Sequence, residues 1–138
     1  MPNTFMRGLK SVVLTTLDLE RAGRFYRDVL ALPVASERHR GTEAHWAGDV
    51  GGVHLAIHPQ ETFWLPTGAP PEGESTVVSF TVEDLAACEA QLRSHGVEVV
   101  ARRDIGPMKF IALRDPDGRL VCCGTPWPGA RSSGAATR

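Results

Sequence analysis

The fold is decided by the stretch Ser11-Val12-Val13-Leu14-Thr15-Thr16-Leu17-Asp18-Leu19, because its pattern returns as Val77-Val78-Ser79-Phe80-Thr81-Val82-Glu83-Asp84-Leu85. In both copies an apolar run with the alternation of a strand leads into an acidic residue that can cap a helix. An internal repeat of this kind indicates two copies of one supersecondary unit. A binding site is then expected in the space between the copies.

Each copy is predicted to fold as strand–helix–strand–strand–strand. In the first, a strand over 11–17 precedes a helix from Asp18 to Leu30, which Pro33 prevents from continuing. Strands follow at 34–38, 43–47 and 53–58, with a turn over 48–52. In the second, a strand at 76–82 precedes a helix at 85–95, and strands follow at 97–102, 109–114 and 119–123. The last two are joined by the turn Asp115-Pro116-Asp117-Gly118.

These elements predict one α+β domain over residues 1–125. Module one covers 7–58, a linker rich in proline and glycine covers 59–74, and module two covers 75–125. Residues 126–138 are predicted to be a flexible tail. Since neither module can cover its own sheet, the two tandem βαβββ modules should form a curved mixed sheet around a central cavity, with the helices on the outer face.

Composition excludes several classes of function. The formal net charge is −1, and no cluster of Lys and Arg suits nucleic acid. No apolar run approaches the roughly 20 residues of a membrane helix, and the start has no apolar signal segment. The three cysteines, Cys88, Cys122 and Cys123, do not make a disulfide framework, which indicates a reducing cytoplasm.

The motifs of the first helix, of the second strand–helix junction and of the closing Asp-Pro-Asp-Gly turn resemble the vicinal oxygen chelate superfamily over roughly 7–125. That superfamily includes glyoxalase I, extradiol dioxygenases and bleomycin-resistance proteins. The resemblance implies paired βαβββ modules around a cavity, and commonly a homodimer. It also implies a divalent metal, held by one ligand from the first and one from the last strand of each module.

The four inherited ligand positions fall at Ser11, His54, Val77 (or Thr76) and Cys122. Only His54 is a usual ligand, so we predict that the metal site is lost and that the protein needs no cofactor. A site rebuilt from His45, His54 and Cys122 for Zn, Ni, Mn or Fe is the alternative. His54 and His58 lie about 13 Å apart along one strand, too far to share an ion.

Side chains alternate between the two faces of a strand, and this alternation predicts which residues line the cavity. Small and neutral side chains dominate its wall, which suits a bulky, partly apolar organic molecule. His54 is either a polar wall residue, a ligand-contacting donor or a general base. Trp46 and Trp64 can stack against a planar ligand. The predicted inward residues are Ser11, Val13, Thr15, His54, Ala56, Val77, Ser79, Thr81, Leu120 and Cys122, with His45 or Trp46 from the neighbouring strand.

Three functions follow from this wall. The first is metal-independent binding of a drug or natural product, as in self-resistance by sequestration. The second is a lyase, isomerase or dioxygenase that uses a rebuilt metal site or His54 as a base. The third is an interaction domain with a vestigial cavity, which the small residues of the wall disfavour.

Overall fold

The computed structural model describes residues 6, 8–38, 43–65 and 76–126. Within these ranges the chain forms two four-stranded mixed sheets, each with one helical segment, which confirms the α+β class and the tandem modules. The sheets are separate, and neither closes. No described helix has the length and apolar character needed to cross a membrane.

Module one begins with strand β1 (Ser11–Thr16) and helix α1 (Leu19–Gly23), which continues as a π-helix over Arg24–Val29. Asp18 caps α1 by accepting a hydrogen bond from the backbone N–H of Arg21 at 3.0 Å, as the sequence predicts. Strands β2 (Ala35–Glu37), β3 (His45–Val50) and β4 (Val53–Pro59) complete the sheet in the order β1-β4-β3-β2. A single 3₁₀ turn over Gln60–Thr62 follows.

Module two repeats the plan. Strand β5 (Val78–Thr81) leads to helix α2 (Leu85–Ser94), capped by Asp84, and the sheet order is β5-β8-β7-β6. Its other strands are β6 (Ala101–Ile105), β7 (Met108–Arg114) and β8 (Leu120–Gly124). In each module the first strand pairs in parallel with the last and forms an edge of the sheet.

Two predicted strands are displaced by two residues or more at both ends, and the neighbouring turns explain both shifts. Strand β3 extends to Val50 because only Gly51 and Gly52, both with positive φ, separate it from β4. Strand β6 lies over Ala101–Ile105 instead of 97–102, because the turn at Gly106 places Ile105 opposite Met108. Most of the predicted linker and the predicted tail, 66–75 and 127–138, lie outside the described residues.

One continuous apolar core connects the two modules on the helical side of both sheets. The aromatic side chains of the π-helix are buried in it, together with Leu92 from α2. Burial of these side chains from water is the main stabilising contribution. The buried members are Leu14, Ala22, Phe25, Tyr26, Val34, Leu55, Ile57, Leu92, Ile111, Leu113, Val121 and Cys123.

The turn between β7 and β8 joins module two to module one by hydrogen bonds; we call Asp115–Arg119 the joining turn. Its Asp117 carboxylate accepts from the Thr16 hydroxyl at 2.6 Å and from the Leu17 N–H at 3.0 Å. Arg119 donates to the Thr15 carbonyl at 2.7 Å. The turn is thus the main polar connection between modules among the described residues.

Candidate functional site

The face of sheet one opposite the helix carries most of the predicted wall of module one; we call it the open face of module one. Ser11 lies opposite His54, and Val13 opposite Ala56, in the β1–β4 ladder. His54 is exposed and Val13 is 44% exposed, whereas Thr15 and Ala56 are buried. One end of this face is therefore accessible, and its lining is small and nearly neutral.

The residue opposite His54 on strand β3 is Asp49, and not His45. The alternative metal site needs His45 near His54, but the two-residue turn at Gly51 and Gly52 fixes a register that places His45 beside His58. The rings of His45 and His58 stack with centroids 4.1 Å apart. Asp49 gives the exposed imidazole of His54 an acidic neighbour that the sequence analysis missed.

His45 is buried, and both of its ring nitrogens face oxygen atoms. Its Nε2 lies 3.1 Å from the Glu37 carboxylate, and its Nδ1 lies 3.3 Å from the Glu43 carbonyl. From His58 the series of rings continues to Phe63, at 5.0 Å, and on to Trp64, at a further 5.3 Å. We call these four side chains the ring series. Its outer member, Trp64, is 78% exposed.

Trp46 does not line the open face, so its predicted place in the wall is wrong. Neighbouring strand residues point to opposite sides of a sheet, and with His45 on the open face Trp46 faces α1. Its indole N–H donates to the Leu19 carbonyl at 2.8 Å. The indole passes so close to Gly23 that a Cβ there would lie 2.2 Å from the ring. Trp46 is a packing residue of module one.

The open face of module two carries the remaining predicted residues. Ser79 lies opposite Cys122, and a cavity of about 250 Å³ opens beside them against Phe110 and Lys109. Val77, just before β5, is 44% exposed, and Thr81 is exposed at the other end of the strand. Partial burial raises the pKa of the Cys122 thiol, which makes it a poorer thiolate donor.

These positions do not fit a divalent metal. Of the four inherited positions only His54 is a usual ligand, because the valine at 77 has no donor atom and the serine at 11 is a weak ligand. The alternative set of His45, His54 and Cys122 is not assembled either, since His45 lies beside His58. Among the described residues, no three His, Cys, Asp or Glu side chains are grouped to hold an ion.

In place of the predicted central cavity within one curved sheet, the structure has two open faces on separate sheets. Two further cavities, of about 660 Å³ and 390 Å³, lie between the modules on the helical side and share Leu32, Phe80 and Thr81. We call them together the inter-module groove. Sequence reasoning missed the groove, because strand parity assigns residues to a face but does not say how two modules pack.

A tandem pair of βαβββ modules with two open faces defines the class of this protein. The family model of the glyoxalase-like domain matches residues 11–123, and the chain therefore belongs to this family, in the vicinal oxygen chelate superfamily. No curated protein sequence is significantly similar to the chain.

Similar solved structures span several functions. A lactoylglutathione lyase from Agrobacterium tumefaciens has 20% identity and a TM-score of 0.64, over 87% of this chain and 94% of that one. A glyoxalase/bleomycin resistance protein/dioxygenase from Nocardioides has 23% identity and a TM-score of 0.69, over 94% and 89%. TnmS3, an antibiotic binding protein from Streptomyces sp. CB03234, has 20% identity and a TM-score of 0.68, over 91% and 100%. At these identities the likeness concerns the fold.

Proposed function

We propose that the protein binds a bulky, partly apolar organic molecule without a metal and releases it unchanged. The observation that carries this proposal is the chemistry of the inherited ligand positions, where serine, valine and cysteine stand in place of strong ligands. The small residues of both open faces leave room for apolar contact with a ligand. An antibiotic binding protein of the same fold supports sequestration as the role.

We assign the ligand contacts to the open faces. In module one these are His54, as hydrogen-bond partner, and the exposed ring of Trp64, as a stacking surface. The buried His45 stacks on His58 at the inner end of the ring series. In module two the contacts are Ser79 and Cys122 beside their small cavity. The remaining assigned contacts are Ser11, Val13 and Val77, whereas Thr15 and Ala56, also predicted for the wall, are buried beneath this face.

The site is completed, in this proposal, by a second copy of the chain. Strands β1 and β5 are both sheet edges, whose backbone groups can pair with another strand. Val13 beside one edge and Val77 beside the other are each 44% exposed. A homodimer that sets the open face of module one against that of its partner's module two would bury both valines. The proposed location is the cytoplasm, where the three cysteines stay free.

A binding screen tests this function. Natural-product antibiotics are screened against the purified protein by thermal shift. The ligand that binds is then released, and its molecular mass is measured by mass spectrometry. We expect stoichiometric binding, unaffected by EDTA, and recovery of the unchanged ligand. His54→Ala should weaken binding about tenfold, the loss of one hydrogen bond. His95→Ala, at the exposed C-terminal end of α2, is the matched control. A chemically altered ligand, or binding that needs a metal, contradicts the proposal.

An enzyme is the second candidate, favoured by one observation. Asp49 stands opposite His54 in the β3–β4 register, as a carboxylate that can orient an imidazole acting as a general base. The activity would be that of a metal-free isomerase or lyase. Turnover that disappears in both His54→Ala and Asp49→Asn, while ligand binding persists, would establish this candidate in place of the first.

A further inference from the structure

The inter-module groove contains chemistry that the proposed function does not use. Its larger part, about 660 Å³, lies between the end of the π-helix, strand β5 and helix α2. This volume is within the range of about 300–1,000 Å³ typical of small-molecule sites. The groove walls are mostly apolar, and two of its lining residues are cysteines, Cys88 and Cys123.

The two cysteines come from different elements, and both line the groove. Cys88 lies in the first half of α2 and is half-buried, whereas Cys123 lies on β8 and is 2% exposed. Cys88 packs against the core cluster that contains Cys123, and both side chains line the groove where α2 contacts β8. Cys122, the next residue along β8, points to the opposite side of the sheet, towards the open face of module two.

We propose that Cys88 and Cys123 form a redox-responsive thiol pair, which a small peroxide entering the groove converts into a disulfide between α2 and β8. A side chain at the surface of a cavity is reachable by a small oxidant, and the two cysteines belong to elements, α2 and β8, that are in contact. The inference is independent of the ligand proposed for the open faces.

The chemistry takes two steps. The Cys88 thiolate attacks one oxygen of hydrogen peroxide, the O–O bond breaks, and the hydroxide that leaves takes up the proton released by the thiol to give water. The sulfur of Cys123 then attacks the resulting sulfenic acid, and the hydroxyl group leaves as a second water with the Cys123 proton. Both sulfurs are oxidised by one unit, and one peroxide is reduced to two waters.

The order of the two thiols follows from their surroundings. Burial, and then the nearby Cys88, raises the pKa of the Cys123 thiol, so this group stays protonated and is shielded from the oxidant. Cys88 lines the groove and is partly accessible, so it is the attacking thiol. Cys123, on the strand that α2 contacts, then resolves the sulfenic acid before further oxidation.

The test uses the full-length protein, reduced and then treated with one equivalent of hydrogen peroxide. Non-reducing peptide mass spectrometry should show a peptide pair joined through Cys88 and Cys123, with the loss of two hydrogens, and dithiothreitol should reverse it. Cys122→Ser is the matched control and should leave the crosslink unchanged. Cys88→Ser should abolish it.

Two other results would overturn the proposal. One is oxidation of Cys88 to sulfinic or sulfonic acid with no crosslink, which would show that Cys123 does not resolve it. The other is a crosslink that involves Cys122, which would require a different packing of β8. Because Cys123→Ser alters a buried position, the thermal midpoint of the wild-type protein is also compared between its two states. A higher midpoint after oxidation is expected from a crosslink between α2 and the sheet, and an unchanged or lower one argues against it.

Discussion

At the scale of single residues, the most constrained side chain is Tyr26. It is fully buried in the π-helix, and its hydroxyl donates to the Asp115 carboxylate at 2.5 Å. The same carboxylate accepts from Arg119 at 2.6 Å and from two backbone N–H groups. The sequence places Tyr26 in the apolar stripe of the helix, but its hydroxyl partner lies 89 positions away and could not be read from local spacing.

Alkaline titration of Tyr26 is the first prediction at this scale. Burial, and then the charge of Asp115, raises the pKa of the Tyr26 phenol in the folded protein. A group whose pKa is raised on folding contributes stability that is complete below its ordinary pKa of 10.0 and is lost as pH rises above it. The free energy of unfolding should therefore fall above pH 10.0.

Tyr26 is the only tyrosine in the chain, so phenolate absorbance reports on it alone. We expect this absorbance to appear only as the protein unfolds, in step with the loss of circular dichroism. In Tyr26→Phe, the part of the alkaline decrease in the free energy of unfolding that comes from the phenol should disappear. At pH 7 the free energy of unfolding should fall by about 1.5–3 kcal/mol, because a hydrogen bond to a charged group is removed. A phenolate signal that precedes unfolding would contradict the burial.

At the scale of elements, the caps and the strand alternation were predictable because they depend on neighbours in sequence. Asp18 and Asp84 both cap helices as the pattern predicts. The register of β3 against β4 was also within reach of the sequence. Two consecutive glycines are typical of a two-residue hairpin turn, and that turn places Val50 against Val53. The π-helix was not predictable, since it results from packing of Phe25 and Tyr26 into the core.

The cap of α2 gives a prediction for that element. Asp84→Ala should lower the free energy of unfolding by about 1 kcal/mol, because the Ala87 N–H loses its acceptor at 3.0 Å. Asp84→Asn retains an acceptor oxygen and should lower the free energy of unfolding by only a few tenths of a kcal/mol. Urea unfolding of the two variants at pH 7 measures the difference, and equal losses would show that charge, and not the hydrogen bond, stabilises this helix end.

Gly48 gives a prediction for strand β3. A Cβ at this position would lie 1.9 Å from the carbonyl oxygen of Pro33, which is backbone and cannot rotate away. Gly48→Ala should destabilise the protein by about 1–3 kcal/mol or more, as overpacking does. Gly8→Ala is the control, because no atom lies within 4 Å of the Cβ it would add. Similar melting temperatures for both variants would rule out the close approach.

At the scale of the whole molecule, the repeat predicted two modules, and it could not predict how they pack. That packing depends on the joining turn, whose Asp115 and Arg119 form a nearly buried ion pair. Their partners, Tyr26 and Thr15, belong to module one, so a turn that looks purely local in sequence connects both halves. Strand alternation assigned the residues of each open face, Trp46 excepted, whereas the separation of the two faces onto two sheets depends on tertiary packing.

Arg119→Met is the prediction for this connection. Removing one partner of a buried pair leaves the Asp115 carboxylate uncompensated, which costs about 3–5 kcal/mol. Arg24→Met breaks an exposed pair with Glu20 and should cost no more than about 1 kcal/mol. Chemical denaturation of both variants provides the comparison. A small loss in Arg119→Met would mean that water enters the turn and compensates the charge.

The joining turn also bears on how binding specificity is set. The hydrogen bonds described between the modules all begin or end at residues 115–119, and none of these residues belongs to either open face. We therefore expect a substitution in the turn to change the angle between the modules while the lining of both faces stays the same. Under the proposed function, such a change would alter the width available to the ligand without changing its contact residues.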